Sequence, residues 1–112
     1  MKKVEAIVRT SKFSEVKKAL NEVDINFITY WAVTGVGNEK EVLSYKGVPY
    51  NSSEIERTMI SFVCNDDYLE PAVKAIQTTA KTGEVGDGKI FVLDVIESYR
   101  IRTDEKGGIS LK

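Results

Sequence analysis

The 112-residue chain contains no histidine, a single cysteine and two prolines. Without histidine it has no imidazole for a metal site, for a Ser-His or Cys-His nucleophile pair, or for acid–base catalysis. The single cysteine, Cys64, cannot form an intrachain disulfide, which fits a reducing cytoplasm. Most familiar enzyme mechanisms therefore lack the residues they need, and we expect a protein that is not an enzyme.

Long apolar runs are also absent. No stretch approaches the roughly 18 residues of a membrane-spanning helix, and the first residues lack the apolar core of a signal peptide, so we expect a cytoplasmic protein without membrane insertion. The formal net charge of −1 gives no bulk attraction to nucleic acid. With 42% apolar and 29% charged residues, we expect residues 1–112 to form one globular domain.

The spacing of apolar residues predicts four strands and two helices in the order βαββαβ. The strands are predicted near 3–9, 26–36, 55–64 and 89–96, and the helices near 13–23 and 66–80. This order is that of the ferredoxin-like α+β fold. The fourth strand is apolar almost throughout, so we expect it in the centre of the sheet. Two helices cover only one face of such a sheet, which predicts an oligomer.

Between the second and third strands the periodicity stops, over residues of about 37–54. This segment is polar and contains Gly37, Gly47 and Pro49. We expect a long loop, and loops of this length in small domains are usually functional.

The segment 81–92 is rich in glycine, with Gly83, Gly86 and Gly88 close together. Such glycines let consecutive backbone N–H groups surround phosphate oxygens, and Lys89 directly after them supplies a positive charge. A helix end followed by a tight turn into a strand would also explain the glycines. The residues alone leave both interpretations open.

A second basic segment contains Arg100 and Arg102. On a strand, residues two apart point to the same face, so both guanidinium groups could engage one polyphosphate. A solvated basic strand edge is the alternative interpretation.

Together these segments resemble the P-II signal-transduction family. Thr82–Phe91 reproduces that family's signature Thr-Gly-x-x-Gly-Asp-Gly-Lys-Ile-Phe. Arg100–Gly107 matches its Arg-x-Arg-Thr-Gly-Glu-x-Gly loop, except that Asp104 replaces a glycine. The opening strand is also similar, so the resemblance covers essentially the whole chain.

The resemblance implies a homotrimer that binds ATP or ADP between subunits, with Mg²⁺ possible beside ATP. A T-loop at about 37–54 would engage a target protein, either a membrane transporter or a metabolic enzyme, and a C-terminal loop would span about 100–112. The implied nucleotide ligands come from three parts of the chain. They are Gly86, Asp87, Gly88 and Lys89 for the phosphates, with Arg100 and Arg102 from the next subunit; Gly35 and Gly37 at the phosphate end; and Thr29 and Val63 beside adenine and ribose.

The chain departs from the family at the base of the T-loop. Asn38 replaces an arginine that contacts the terminal phosphate, and Glu39 replaces a glutamine that helps to hold Mg²⁺ beside 2-oxoglutarate. Arg57 stands where the family usually has a lysine that pairs with 2-oxoglutarate. A carboxylate beside a dicarboxylate ligand is repulsive, so we expect 2-oxoglutarate sensing to be weakened or lost. Tyr50 lies where some bacterial members are modified, although an interface role is the simpler interpretation.

Two alternatives remain beside the regulator. One is a slow nucleotide- or acyl-phosphate-hydrolysing enzyme, for which Glu39 or Asp87 would have to serve as the base. The other is a related sensor of a different small effector.

Overall fold

The computed structural model describes residues 1–45 and 48–112, with the backbone alone for the described part of 37–54. The elements are β1 (Lys2–Val8), α1 (Phe13–Glu22), β2 (Thr29–Tyr45), β3 (Val48–Cys64), α2 (Asp66–Ala80) and β4 (Lys89–Asp94). Short 3-10 turns lie at Thr10–Lys12 and Gly107–Leu111. The predicted βαββαβ order is confirmed. Within the described residues, no helix is both long and apolar enough to span a membrane.

The strands form one antiparallel sheet in the order β2-β3-β1-β4. This is the ferredoxin-like order, in which β1 lies between the third and fourth strands. The prediction that β4 is central is therefore wrong, because β4 lies at the sheet edge. Its apolar composition has another cause: Ile90 packs against the core, while Phe91 and Leu93 remain 47% and 45% exposed on the opposite face.

The core lies between one face of the sheet and the two helices. Alternation along β1 buries Val4, Ala6 and Val8, as the sequence predicts. The helices contribute residues at helical spacing, and the sheet residues opposite them complete the cluster. The other buried apolar members are Val16, Leu20, Ile25, Ile60, Phe62, Cys64, Ala72, Ile76 and Ala80.

The segment 37–54 differs from the predicted loop. Its described backbone continues β2 and β3 as a paired ribbon, with register partners that include Glu41 with Ser52 and Tyr45 with Val48. The register shifts between Val36 and Glu41. Backbone hydrogen bonds need no apolar side chains, so a polar segment without hydrophobic periodicity can still pair as strands. The prediction of a long unpaired loop is therefore wrong for the described residues of this segment.

The face of the sheet away from the helices holds the residues of interest. Ile7 lies opposite Met59 on one side and Lys89 on the other, and Met59 is also paired with Trp31. Since side chains alternate along each strand, this helix-free face also carries Arg57, Phe91 and Leu93.

Candidate functional site

A cleft opens on the helix-free face where the glycine-rich loop after α2 meets the middle of the β2–β3 pair. Its volume is about 600 Å³. Its described lining includes two cationic side chains, Arg57 and Lys89, and no acidic one. The backbone of Gly35, Gly86 and Gly88 also lines the cleft. This cleft thus suits an anionic group.

The glycine-rich loop lies directly against β1. Gly88 has a φ of 101°, in the region that favours glycine, and a Cβ at this position would lie 1.7 Å from the carbonyl oxygen of Ile7. Glycine at this position therefore allows the loop to approach the protein's own backbone closely. The predicted approach to a phosphate ligand stays a prediction.

Asp87 organises this loop from within. Its carboxylate accepts hydrogen bonds from the backbone N–H groups of Thr82 at 2.8 Å and Gly83 at 2.9 Å, and also from the Thr82 hydroxyl. The Nε of Arg9 adds a charged donor at 3.3 Å. These bonds, that of the Thr82 hydroxyl above all, hold the pKa of Asp87 well below its ordinary value of 3.8. The structure therefore places this predicted phosphate ligand with its carboxylate turned into the loop.

Two arginines hold the carbonyl groups of the same loop. The Nη2 of Arg9 donates to the carbonyl oxygen of Val85 at 2.9 Å, and the Nε of Arg57 donates to that of Gly86 at 3.3 Å. Sequence reasoning missed Arg9, although its place directly after β1, the strand beside Lys89, was a usable signal. Arg57, predicted as an effector-site residue, lines the cleft and donates to the glycine-rich loop.

Lys89 is the first residue of β4 and is exposed at the cleft. Among the described residues no carboxylate forms an ion pair with it. Its ammonium group can therefore reach an anionic group in the cleft, while the predicted contact with phosphate stays a prediction.

Thr29 and Val63 lie on the same face of the sheet but further along it. Thr29 pairs with Ser61, and Val63 is four residues after Met59, which is level with Lys89 across β1. At about 3.3 Å per residue, Val63 is roughly 13 Å along the strand from that level. One chain alone therefore does not bring these two residues to the glycine-rich loop.

Arg100 and Arg102 differ from their predicted geometry. Residues 101–103 form a turn, so the prediction that the two guanidinium groups share one face of a strand is wrong. Arg100 is partly buried: its Nη1 donates to Glu105 at 2.8 Å, and its Nη2 donates to the carbonyl of Ile109 at 3.2 Å. Arg102 is exposed.

The turn explains the family's glycine at position 104. Asp104 has a φ of 62°, a conformation that glycine adopts most readily and that aspartate adopts more readily than most other residues. Its N–H donates to the carbonyl of Arg100 at 2.9 Å, and the N–H of Arg100 donates to the carbonyl of Glu105 at 2.8 Å. The departure from the family's sequence is therefore compatible with the same turn.

Several predicted residues fall in the segment described by backbone alone. Gly37 lies within β2. The side chains of Asn38, Glu39 and Tyr50 lie outside the described part. Among the described residues there is no group of three or more metal-ligating side chains.

The fold and cleft define a ferredoxin-like domain whose glycine-rich loop borders a cleft lined by two cationic side chains. The family described as Nitrogen regulatory protein P-II matches residues 1–105, and the chain belongs to this family of signal-transduction regulators. The chain is 47% identical over 109 residues to the Nitrogen regulatory protein P-II of Azospirillum brasilense, covering 96% of this chain and 97% of that protein. The protein of the same name from Porphyra purpurea is 42% identical over 112 residues, covering 99% and 100%.

A solved structure supports the same assignment. The structure of B. subtilis GlnK superposes with a TM-score of 0.80 at 28% identity and covers 97% of this chain and 96% of that chain. The proteins of this family are signalling regulators and not enzymes, so the hydrolase alternative loses its support.

Proposed function

We propose that the protein senses adenine nucleotides, ATP or ADP, at the glycine-rich loop. The cleft beside this loop is the observation that carries the proposal, since it combines the exposed Lys89 with Arg57 and has no acidic side chain in its described lining. Phosphate groups suit such a site because they need positive charge and backbone N–H donors. Gly86 and Gly88 supply backbone at its wall, while Asp87 keeps the loop in shape.

The site is completed between subunits of a homotrimer. Trp31, Phe91 and Leu93 are 44%, 47% and 45% exposed on the helix-free face, and such apolar surface supports burial against other copies. A neighbouring subunit would then supply the groups that a single chain leaves distant from the loop. These are Arg100 and Arg102 for the phosphates, and Thr29 and Val63 for adenine and ribose.

The output of the sensor is a protein contact made by the T-loop, 37–54. The protein acts in the cytoplasm, and its target is a membrane transporter or a metabolic enzyme. Mg²⁺ can accompany bound ATP. The carboxylate of Glu39 weakens or abolishes 2-oxoglutarate binding. Asn38 places a neutral side chain where the resembled family has an arginine at the terminal phosphate, and Tyr50 is an interface residue.

Calorimetric titration with ATP, ADP and AMP tests the proposal. We expect saturable binding of ATP or ADP. Replacing Lys89 by alanine should weaken binding about tenfold or more, because a charge-assisted contact to phosphate is lost. Lys74→Ala, which removes an exposed lysine from α2, is the matched control and should bind like the wild type. A repeat with Mg²⁺ and 2-oxoglutarate tests the effect of Glu39.

The outcomes separate the candidates. Failure of every adenine nucleotide to bind would sink the proposal and favour a sensor of a different effector in the same cleft. Strengthening of ATP binding by 2-oxoglutarate would overturn the inference from Glu39. Light scattering should give three times the 12.5 kDa chain mass, and a monomer would contradict the shared site.

A further inference from the structure

Another cavity lies on the helix side of the domain, between α1 and the segment 25–28 that leads into β2. We call it the α1 groove, and its volume is about 490 Å³. It shares no lining residue with the cleft at the glycine-rich loop. A cavity of this size suits one small organic molecule. The α1 groove is therefore a candidate site of its own.

The floor of the α1 groove is apolar and belongs to the body of the fold. Ile25 is a core residue that is 8% exposed, while Phe13 and Ile28 are partly buried and pack against the core. The ring of Phe13 also contacts that of Tyr30, with 4.4 Å between the ring centroids. A ligand with an apolar body would thus meet a surface that is already held in place, and would remove it from water.

The rim of the α1 groove is polar and basic. Along α1 it is formed by Ser14, Lys17, Lys18 and Asn21. Residues at this spacing of three and four lie on one side of a helix. The aliphatic parts of the lysine side chains can extend the apolar wall while their ammonium groups stay at the opening. The groove therefore combines an apolar floor with positive charge at its edge.

The positive charge of this rim is not neutralised within the chain. Lys12, just before α1, forms an ion pair with Glu15 at 3.9 Å. Within the part of the chain that the structure describes, neither Lys17 nor Lys18 has an ion-pair partner. The described lining of the groove contains no carboxylate. A ligand that supplies one negative charge would complement the rim.

We propose that the α1 groove binds an amphipathic organic anion, a carboxylate with a short acyl or aromatic body. The body would lie on the floor formed by Phe13, Ile25 and Ile28, and the carboxylate would lie beside Lys17 and Lys18. An inorganic anion fits less well, because it leaves the apolar floor unused and exposed lysines alone hold it weakly. An acidic peptide of a partner protein is less suited to a cavity the size of one small molecule.

Octanoate tests the proposal, with octanol as the matched neutral probe. In NMR titrations of the full chain, octanoate should shift the methyl signals of Ile25 and Ile28 saturably and bind more tightly than octanol. The double variant Lys17→Gln, Lys18→Gln should bind octanoate about fivefold or more weakly, because the charge of the rim is lost. Its affinity for octanol should change little. Lys74→Ala, on the exposed side of α2, is the control and should bind octanoate like the wild type.

Three results would overturn the proposal. They are equal affinities for octanoate and octanol, unchanged octanoate binding in the double glutamine variant, and tighter binding of a short acidic peptide than of octanoate, which would favour a protein partner. The double variant Lys17→Arg, Lys18→Arg keeps the charge and should keep the affinity. Glutamine and arginine are both good helix formers, so α1 should fold in either variant.

The α1 groove and the proposed nucleotide site can be tested separately. Saturating ATP should leave the affinity for octanoate unchanged, because the two cavities have separate linings. Displacement of octanoate by ATP would place the probe in the nucleotide cleft and overturn the inference. A wild type that binds octanoate in the groove but no adenine nucleotide would keep the inference and sink the proposed function alone.

Discussion

The two segments that resemble phosphate-binding motifs are built in opposite ways. In the loop 82–89, Asp87 turns inward to accept hydrogen bonds, while Lys89 is left exposed at the cleft. In the C-terminal loop the arginine itself turns inward, since Arg100 donates to Glu105 and to carbonyl groups of the last residues. Whether a motif residue faces a ligand therefore depends on its hydrogen-bond partners within the chain and not on its charge.

The two loops also differ in how much they depend on glycine. Gly88 has a positive φ, and a carbonyl group occupies the space that a Cβ would need there. Asp104 has a positive φ and nevertheless carries a side chain. The first position requires glycine for space, whereas the second prefers it only for conformation.

The largest expected effect comes from Gly88→Ala. The new Cβ would meet the carbonyl oxygen of Ile7 at 1.7 Å, and an L residue is strained at this φ. We expect a loss of about 3 kcal/mol in the free energy of unfolding, together with loss of nucleotide binding. Chemical denaturation followed by circular dichroism measures the first, and calorimetric titration the second.

Gly35→Ala is the matched control on the other wall of the cleft. A Cβ there meets nothing within 4 Å. Its stability should change by about 0.5 kcal/mol or less. Equal stabilities for the Gly88→Ala and Gly35→Ala variants would contradict the close contact between the loop and β1.

A smaller, pH-dependent effect is expected for Asp87→Asn. Because folding lowers the pKa of Asp87 below 3.8, the stabilisation by its carboxylate is complete above that value and is lost as the pH falls through the folded pKa. The melting temperature of Asp87→Asn should therefore lie below that of the wild type at neutral pH. The gap should narrow as the pH falls below about 4.

Thr82→Val checks the cause of that shift, because it removes the hydroxyl that contributes most to it. The melting temperature of Thr82→Val should lie closer to that of the wild type than the melting temperature of Asp87→Asn does, and this difference should also narrow in acid. A difference in melting temperature that stays constant from pH 7 to acid would rule out the carboxylate as its source.

The sequence predicts most of the fold because the core residues obey simple periods. Val4, Ala6 and Val8 alternate in β1, and Val16 and Leu20 recur at helical spacing. The position of β4 could not be obtained in this way. A strand that is apolar on both faces is expected in the centre of a sheet, yet an edge strand has the same composition when one of its faces is left for another surface.

Of the candidate site, the sequence predicts that Gly88 and Lys89 lie together, because they are neighbours in one short loop. Both line the cleft. The contacts of Arg9 and Arg57 with this loop join residues far apart in the chain, so no local pattern reports them. Arg100 was misplaced because a two-residue spacing implies a shared face only on a strand, and this segment turns.

The last and smallest expected change in stability distinguishes Arg100 from Arg102. Arg100→Gln removes charged hydrogen bonds to Glu105 and to the carbonyl of Ile109 from a partly exposed position. We expect a loss of about 1 kcal/mol in the free energy of unfolding and faster amide exchange in 107–111. Arg102→Gln, at an exposed position, should leave both unchanged and weaken ATP binding. If Arg100→Gln instead kept full stability, the hydrogen bonds of Arg100 within the chain would not hold this loop, and the two loops would be built alike.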